Sequence, residues 1–117
     1  MVTELPVLSP RERTAGACCD PIAQPAISFA GAVELAAACK ALGDPTRLLI
    51  VDTLRASAPE AVCQCELLPL FDMSQPALAK HLRILVDAGV IGTERRGLWA
   101  YYYLLPDNLK ELTAWLS

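Results

Sequence analysis

A helical period that gives way at Gly89 to two β-rich runs is the feature that most constrains this chain. From Ser74 to about Ala88 the apolar residues Leu78, Leu82, Leu85 and Val86 recur at helical spacing, and Ser74 is placed to cap the helix. Gly89 closes that helix. Val90 to Arg95 and Leu98 to Leu104 then read as two strands joined by a tight Arg95-Arg96-Gly97 turn. A short helix from Cys63 to Phe71, with Asp72 and Met73 as the turn, precedes the longer one. Short helix, turn, helix and hairpin, in that order, predict a mainly α fold with a small β-hairpin, a winged helix-turn-helix.

The flanking segments complete this fold. Ser28 caps a first helix running to about Leu42, with Phe29, Val33, Leu35, Ala36, Cys39 and Leu42 as its apolar surface and Gly43 ending it. Asp44 followed by Pro45 starts a second helix to Ser57, filled by Leu48, Leu49, Ile50, Val51 and Leu54. Ala58 to Val62 reads as a linker, and a last helix begins at Asp107 with Leu109, Leu112, Trp115 and Leu116 as its stripe. Residues 1–27 carry Pro6, Pro10, Pro21 and Pro25 without a sustained period, so they are expected to form an arm outside a 28–117 domain. A length of 117 residues accommodates one domain. No apolar run approaches the eighteen residues of a membrane span, and no apolar stretch follows a basic N-terminus, so the expectation is a cytoplasmic chain with no membrane contact.

The net charge of −3 argues against a nucleic-acid partner only if the charge is spread evenly. It is not: Lys80, Arg83, Arg95 and Arg96 outweigh Asp87 and Glu94 between residues 73 and 103, so the basic charge is local. Those residues fall on the second helix of the helix-turn-helix and on the hairpin. In a major groove, Gln75 suits an adenine edge, Lys80 and Arg83 suit phosphate or guanine, and Ser74, Ala77 and His81 permit close approach. Arg95 and Arg96 are expected to reach the flanking backbone or minor groove. The predicted partner is double-stranded operator DNA.

Five cysteines, Cys18, Cys19, Cys39, Cys63 and Cys65, are an odd number in spacings unlike a secreted disulfide framework. Clustered thiols in a reducing compartment suit soft or borderline ions, among them Cd(II), Pb(II), As(III) and Sb(III). Cys39, on the apolar side of the first helix, is expected to be a packed small hydrophobe. Paired cysteines also serve thiol-redox enzymes and redox-sensing regulators. The chain has no Cys-x-x-Cys and no phosphate loop, and its one histidine sits on the recognition helix, so an enzyme is not expected. A redox-sensing regulator with the same fold stays open.

Three stretches, Ala41-Leu42-Gly43-Asp44-Pro45-Thr46-Arg47, Cys63-Gln64-Cys65-Glu66-Leu67 and Met73 to Leu82, together with the wing from Arg95 to Tyr102, resemble the ArsR/SmtB family of metal-sensing repressors over roughly residues 30–116. The resemblance implies a homodimer built on the first and last helices, repression of a detoxification operon, and release of the operator when metal binds. Cys63 and Cys65 match the family's Cys-x-Cys position, but Leu68 stands where three-cysteine arsenite sensors carry a third cysteine. Relatives with an N-terminal cysteine pair imply that Cys18 and Cys19 make up the deficit. Three of Cys18, Cys19, Cys63 and Cys65 would suit trigonal As(III) or Sb(III), and all four would suit tetrahedral Cd(II), Pb(II) or Zn(II). The adjacent Cys18-Cys19 pair tilts the expectation toward the metalloid. The last-helix zinc site of other relatives is not expected, because Asp107 and Glu111 have no histidine beside them. Binding is expected to pin the arm to the short helix and move the DNA-reading units out of half-site spacing.

Overall fold

Side-chain caps set three of the helix starts. In a computed structural model, which describes residues 22–117, Ser28 Oγ accepts from the Gly31 amide at 3.0 Å and opens α1 (Phe29–Leu42). Asp44 Oδ2 accepts from the Arg47 amide at 3.1 Å and opens α2 (Pro45–Ser57), where Pro45 occupies a position whose N–H has no helical partner to lose. Ser74 Oγ accepts from the Ala77 amide at 3.3 Å and opens α4 (Gln75–Asp87). The last helix, α5 (Pro106–Leu116), begins one residue earlier than expected, on a proline and without a side-chain cap. Cys18, Cys19 and the arm before residue 22 lie outside the described residues.

Between α2 and α4 the chain departs from the simple linker expected at 58–62. Val62–Cys63 forms a short strand, β1, followed by α3 (Gln64–Leu67) and a 3-10 turn at Leu68–Leu70. The wing strands are β2 (Ile91–Arg96) and β3 (Trp99–Leu104). β1 pairs antiparallel with β3, placing Val62 opposite Tyr102 and Cys63 opposite Tyr101, so the hairpin grows into a three-stranded sheet of order β1-β3-β2. The wing turn also falls one residue later than expected. Arg96 pairs with Trp99, Gly97 and Leu98 form the connection, and Arg95 and Arg96 end the strand. Gly97 has φ +64 while Leu98 has negative φ, the pattern of a two-residue hairpin with glycine first, whose twist matches that of the strands.

The core lies where α1, α2 and α4 meet the sheet. Ile50, Val51 and Leu54 of α2, Leu78, Leu82 and Leu85 of α4, Leu67, Val90 and Ile91 are buried together with Ala38 and Ala41 of α1. This corrects the apolar face expected for the first helix. Phe29 is 86% exposed and Cys39 is exposed, so Cys39 is not packed in the core of this chain. The small Ala38 and Ala41 let α1 approach α2 and α4 closely, and Cys39, one residue on, is turned about 100° away from Ala38. At the other end of α4, Gly89 takes φ +76 and its carbonyl accepts from Asn108 Nδ2, which moors α5 to the turn between helix and wing.

Gly92 of β2 sits opposite Tyr103, and a Cβ there would come within 2.5 Å of the Tyr103 ring atoms Cε2 and Cζ. The missing side chain gives the ring its place against the strand. Gly92→Ala is therefore expected to lower unfolding free energy by about 1–3 kcal/mol in urea denaturation. The penalty should shrink in a Tyr103→Ala background; equal penalties in both backgrounds would put the cause elsewhere.

Candidate nucleic-acid interface and thiol site

The buried stripe of Leu78, Leu82 and Leu85 fixes how α4 is rotated, and the opposite face follows from it. Gln75, Lys80 and Arg83 are exposed, Ala77 is half-buried, and the Ser74 hydroxyl is engaged in capping. His81 was expected to point outward with them and does not. It is half-buried on the flank of the helix, with Nδ1 3.3 Å from Arg47 Nη1.

Arg47 is a residue that sequence reasoning passed over except as part of a motif. Its Nε donates to the Ala41 carbonyl at 2.6 Å, its amide donates to Asp44, and its Nη1 meets His81. One guanidinium thus ties the end of α1 and the start of α2 to α4. The backbone hydrogen bond from Arg47 holds the Asp44 carboxyl below its ordinary range against a desolvation that opposes it, helped by the charges of Arg47 and His81.

Lys80 and Arg83 line an open groove of about 660 Å³ that runs between α4 and the sheet, with Ala79, Thr93 and Tyr102. The wing adds Arg95 and Arg96, both exposed and on opposite faces of β2. The Arg96 guanidinium lies 4.5 Å from the centroid of the Tyr101 ring and 3.4 Å from Glu94 Oε2. Exposed pairs of this kind add little stability, and here they hold the arginine against the strand.

The two described cysteines of the candidate thiol site play unequal roles. Cys63 is 2% exposed and caps α3: its Sγ accepts from the Cys65 amide at 3.3 Å, and its own amide donates to Glu66 Oε1 at 3.0 Å. Cys65 is exposed. Hydrogen bonding to the Cys63 sulfur holds its thiol above the ordinary range, with desolvation and the neighbouring Cys63 and Glu66 acting in the same direction. Cys65 opens into a cleft of about 360 Å³ that it shares with Leu68 and Pro69 of the 3-10 turn, Gln75 of α4, and Arg95 and Trp99 of the wing. Two neighbouring sulfurs suit a thiophilic centre, yet among the described residues no three His, Cys, Asp or Glu side chains are grouped to hold an ion. A third donor for such a centre has to come from elsewhere.

Residues 44–93 match the family model described as bacterial regulatory protein, arsR family. That span takes in Asp44, Arg47, Cys63, Cys65 and all of α4. The chain is 37% identical over 73 residues to an uncharacterised HTH-type transcriptional regulator of Methanocaldococcus jannaschii, covering 62% of this chain and 80% of that protein. It is 38% identical over 73 residues to the arsenical resistance operon repressor of Bacillus subtilis, covering 62% of this chain and 68% of the repressor. The corresponding repressor of Escherichia coli is 37% identical over 78 residues, of which this chain covers 62%. Among solved structures, an ArsR-like transcriptional regulator from Rhodococcus superposes with a TM-score of 0.65 at 27% identity, over 75% of this chain and 80% of that one. These likenesses join the winged helix-turn-helix and the exposed basic face into one conclusion: the chain belongs to the arsR family of bacterial regulatory proteins and is a transcriptional regulator, not an enzyme.

Proposed function

We propose that the chain is a homodimeric repressor that binds operator DNA through α4 and the wing, and that it releases the operator when cysteine thiolates capture As(III) or Sb(III). The observation that carries this reading is the shared cleft: Cys65 lies in one hollow with Gln75 of the recognition helix and Arg95 of the wing. An occupant held by that thiol competes for space with residues of both DNA-reading elements. The names of the B. subtilis and E. coli relatives, arsenical resistance operon repressors, favour arsenic as the signal. Cys63 and Cys65 supply two sulfurs, and Cys18 or Cys19 of the arm supplies the third.

The dimer reading rests on an apolar surface that has no partner among the described residues. Phe29 of α1 and Trp115 of α5 line a hollow of about 540 Å³ with Ile27 and Ala32, and Val33 and Leu116 are exposed beside them on the same two helices. A contiguous apolar patch of this kind is normally covered, and a second copy covers it symmetrically. Two recognition helices then read half-sites about one helical turn apart, which supplies affinity that one domain of net charge −3 lacks. No helix among the described residues is long and apolar enough to cross a membrane.

Lys80→Ala and Arg83→Ala should weaken operator and random DNA alike, each flattening the salt dependence of binding by a slope of about 0.9. Gln75→Ala should cost about 1–3 kcal/mol on the operator and much less on random sequence. If all three variants lose affinity in the same ratio on both DNAs, Gln75 does not read a base. For the sensing reaction, fluorescence anisotropy of labelled operator should fall when arsenite is added to reduced protein. Unchanged affinity would refute the sensing claim. The Cys63→Ser, Cys65→Ser double variant should keep operator binding and lose the response. Because the Cys65 thiol is held above its ordinary range, its alkylation by iodoacetamide should turn on at a pH above the value of about 8.5 for a free cysteine. Glu66→Gln, which removes a like charge, should move that midpoint down.

A further inference from the structure

The apex of the wing carries a single side chain, and it is apolar. Gly97 and Leu98 connect β2 to β3, and glycine brings no side chain. Leu98 stands 89% exposed between the arginines that end β2 and Trp99, itself 55% exposed. A Cβ at Gly97 would meet nothing within 4 Å, so the tip is slim on that side as well. Arg95 and Arg96 lie just behind it on opposite faces of the ribbon. Arg96 rests on Tyr101 and Glu94, and Arg95 lines the cleft that Leu98 shares with Gln75 of α4. The wing tip is thus continuous with the exposed face of the recognition helix, and its apolar point has positive charge on both sides.

Resting on the reading above that α4 and the wing bind DNA, we propose that Leu98 is a wedge: it enters a base step from the minor groove, partly unstacks it and bends the duplex. Phosphate contact calls for charge, which Arg95 and Arg96 supply. Leu98 offers neither charge nor a side-chain hydrogen bond, and gains only from apolar surface. In duplex DNA the flat faces of the bases are such surface, and they become reachable when a step opens. Width points the same way. Two strands about 4.8 Å apart, with their side chains, do not fit a minor groove about 6 Å wide, so the two-residue turn leads and the groove widens around it. Arg95 then faces one phosphate strand and Arg96 the other, where Arg96 exchanges Glu94 for phosphate. Burial of Leu98 and the phosphate contacts made on bending offset the cost of unstacking. Opening is easiest at pyrimidine–purine steps, so the wing selects such a step without a hydrogen bond to either base.

The probe is the duplex that the full chain selects from a random-sequence pool, with 2-aminopurine placed at successive positions. In the bound complex its fluorescence should rise at one step in each half-site, and end-to-end energy transfer should report a bend. Leu98→Ala should abolish both signals. It should also bring discrimination between a TA and a GG step at that site from about tenfold to near unity, with binding of random DNA unchanged. Leu98→Met, still an apolar wedge, should retain the brightening, whereas Leu98→Lys should tighten binding to every sequence without it. Because Leu98 is exposed, none of these changes should move the thermal midpoint. If the wild-type chain binds its selected duplex with neither brightening nor bend, the wedge falls and the reading of α4 and the wing stands. Brightening that survives Leu98→Ala assigns the unstacking to another side chain and overturns the proposal. A step preference that disappears when uracil replaces thymine places Leu98 on the thymine methyl in the major groove, which overturns it too. If no duplex is enriched, the operator reading itself fails, and the wedge with it.

Discussion

Burial of one leucine stripe on α4 governs most of what this molecule presents to its surroundings. Leu78, Leu82 and Leu85 have almost no solvent exposure, and together they set the rotation of the helix about its axis. A turn of 100° per residue then dictates which side chains face out: Lys80 and Arg83 lie across from the stripe, and His81 falls on its flank. Arg47 fixes the position of the helix along and across the core, because its guanidinium holds the Ala41 carbonyl and His81 at once. The DNA-facing surface is a by-product of core packing. A change in the core beneath α4 therefore moves Gln75, Lys80 and Arg83 as a set, which is how a small domain can keep several exposed groups in register without a separate support for each.

The second constraint is the pairing of β1 with β3. Cys63 is at once a rung of this ladder, the cap of α3 and a sulfur of the thiol pair. A residue in three roles cannot take up a heavy ligand without giving up at least one of the others. Loss of a helix cap costs about 1 kcal/mol, small beside the binding energies of multidentate thiolate sites, so the cap is no bar to the ligand capture proposed for this thiol. The ladder then places the disturbance next to Tyr101, whose ring carries Arg96 of the wing. Coupling between thiols and wing needs no long path, since they are two strands of one sheet.

The helices were legible because their signals are local. Ser28, Asp44 and Ser74 are short polar side chains that bond an amide three residues on, and each stands ahead of a periodic apolar run. The wing was legible through its alternation and Gly97. Residues 62 and 63 were not legible as a strand: two residues carry no period, and their pairing with Tyr101 and Tyr102 is set by how the whole sheet assembles. The face of α1 was misjudged for a related reason. Phe29 and Val33 are the larger apolar residues, but closeness to α2 and α4 selects the small Ala38 and Ala41 for the inside. Lys80, Arg83 and Gln75 lie on the exposed face expected of them, while His81 and Arg47 depend on a contact between residues 34 positions apart that no local pattern announces.

Linkage sets what a thiol site can do to DNA binding. A ligand changes operator affinity only by the ratio of its own affinities for the free and DNA-bound forms, and each tenfold ratio is about 1.4 kcal/mol. A site far from the interface needs a rearrangement of the fold to generate such a difference. Exclusion is the route that the proposed reading supplies: Gln75, Arg95 and Trp99 wall the cleft onto which Cys65 opens, so an occupant held there would compete for space with helix and wing. The same exclusion acts within one subunit. In a symmetric dimer it acts twice on one operator, so two occupied clefts multiply their effects on affinity, and a modest preference in each becomes a large change in repression.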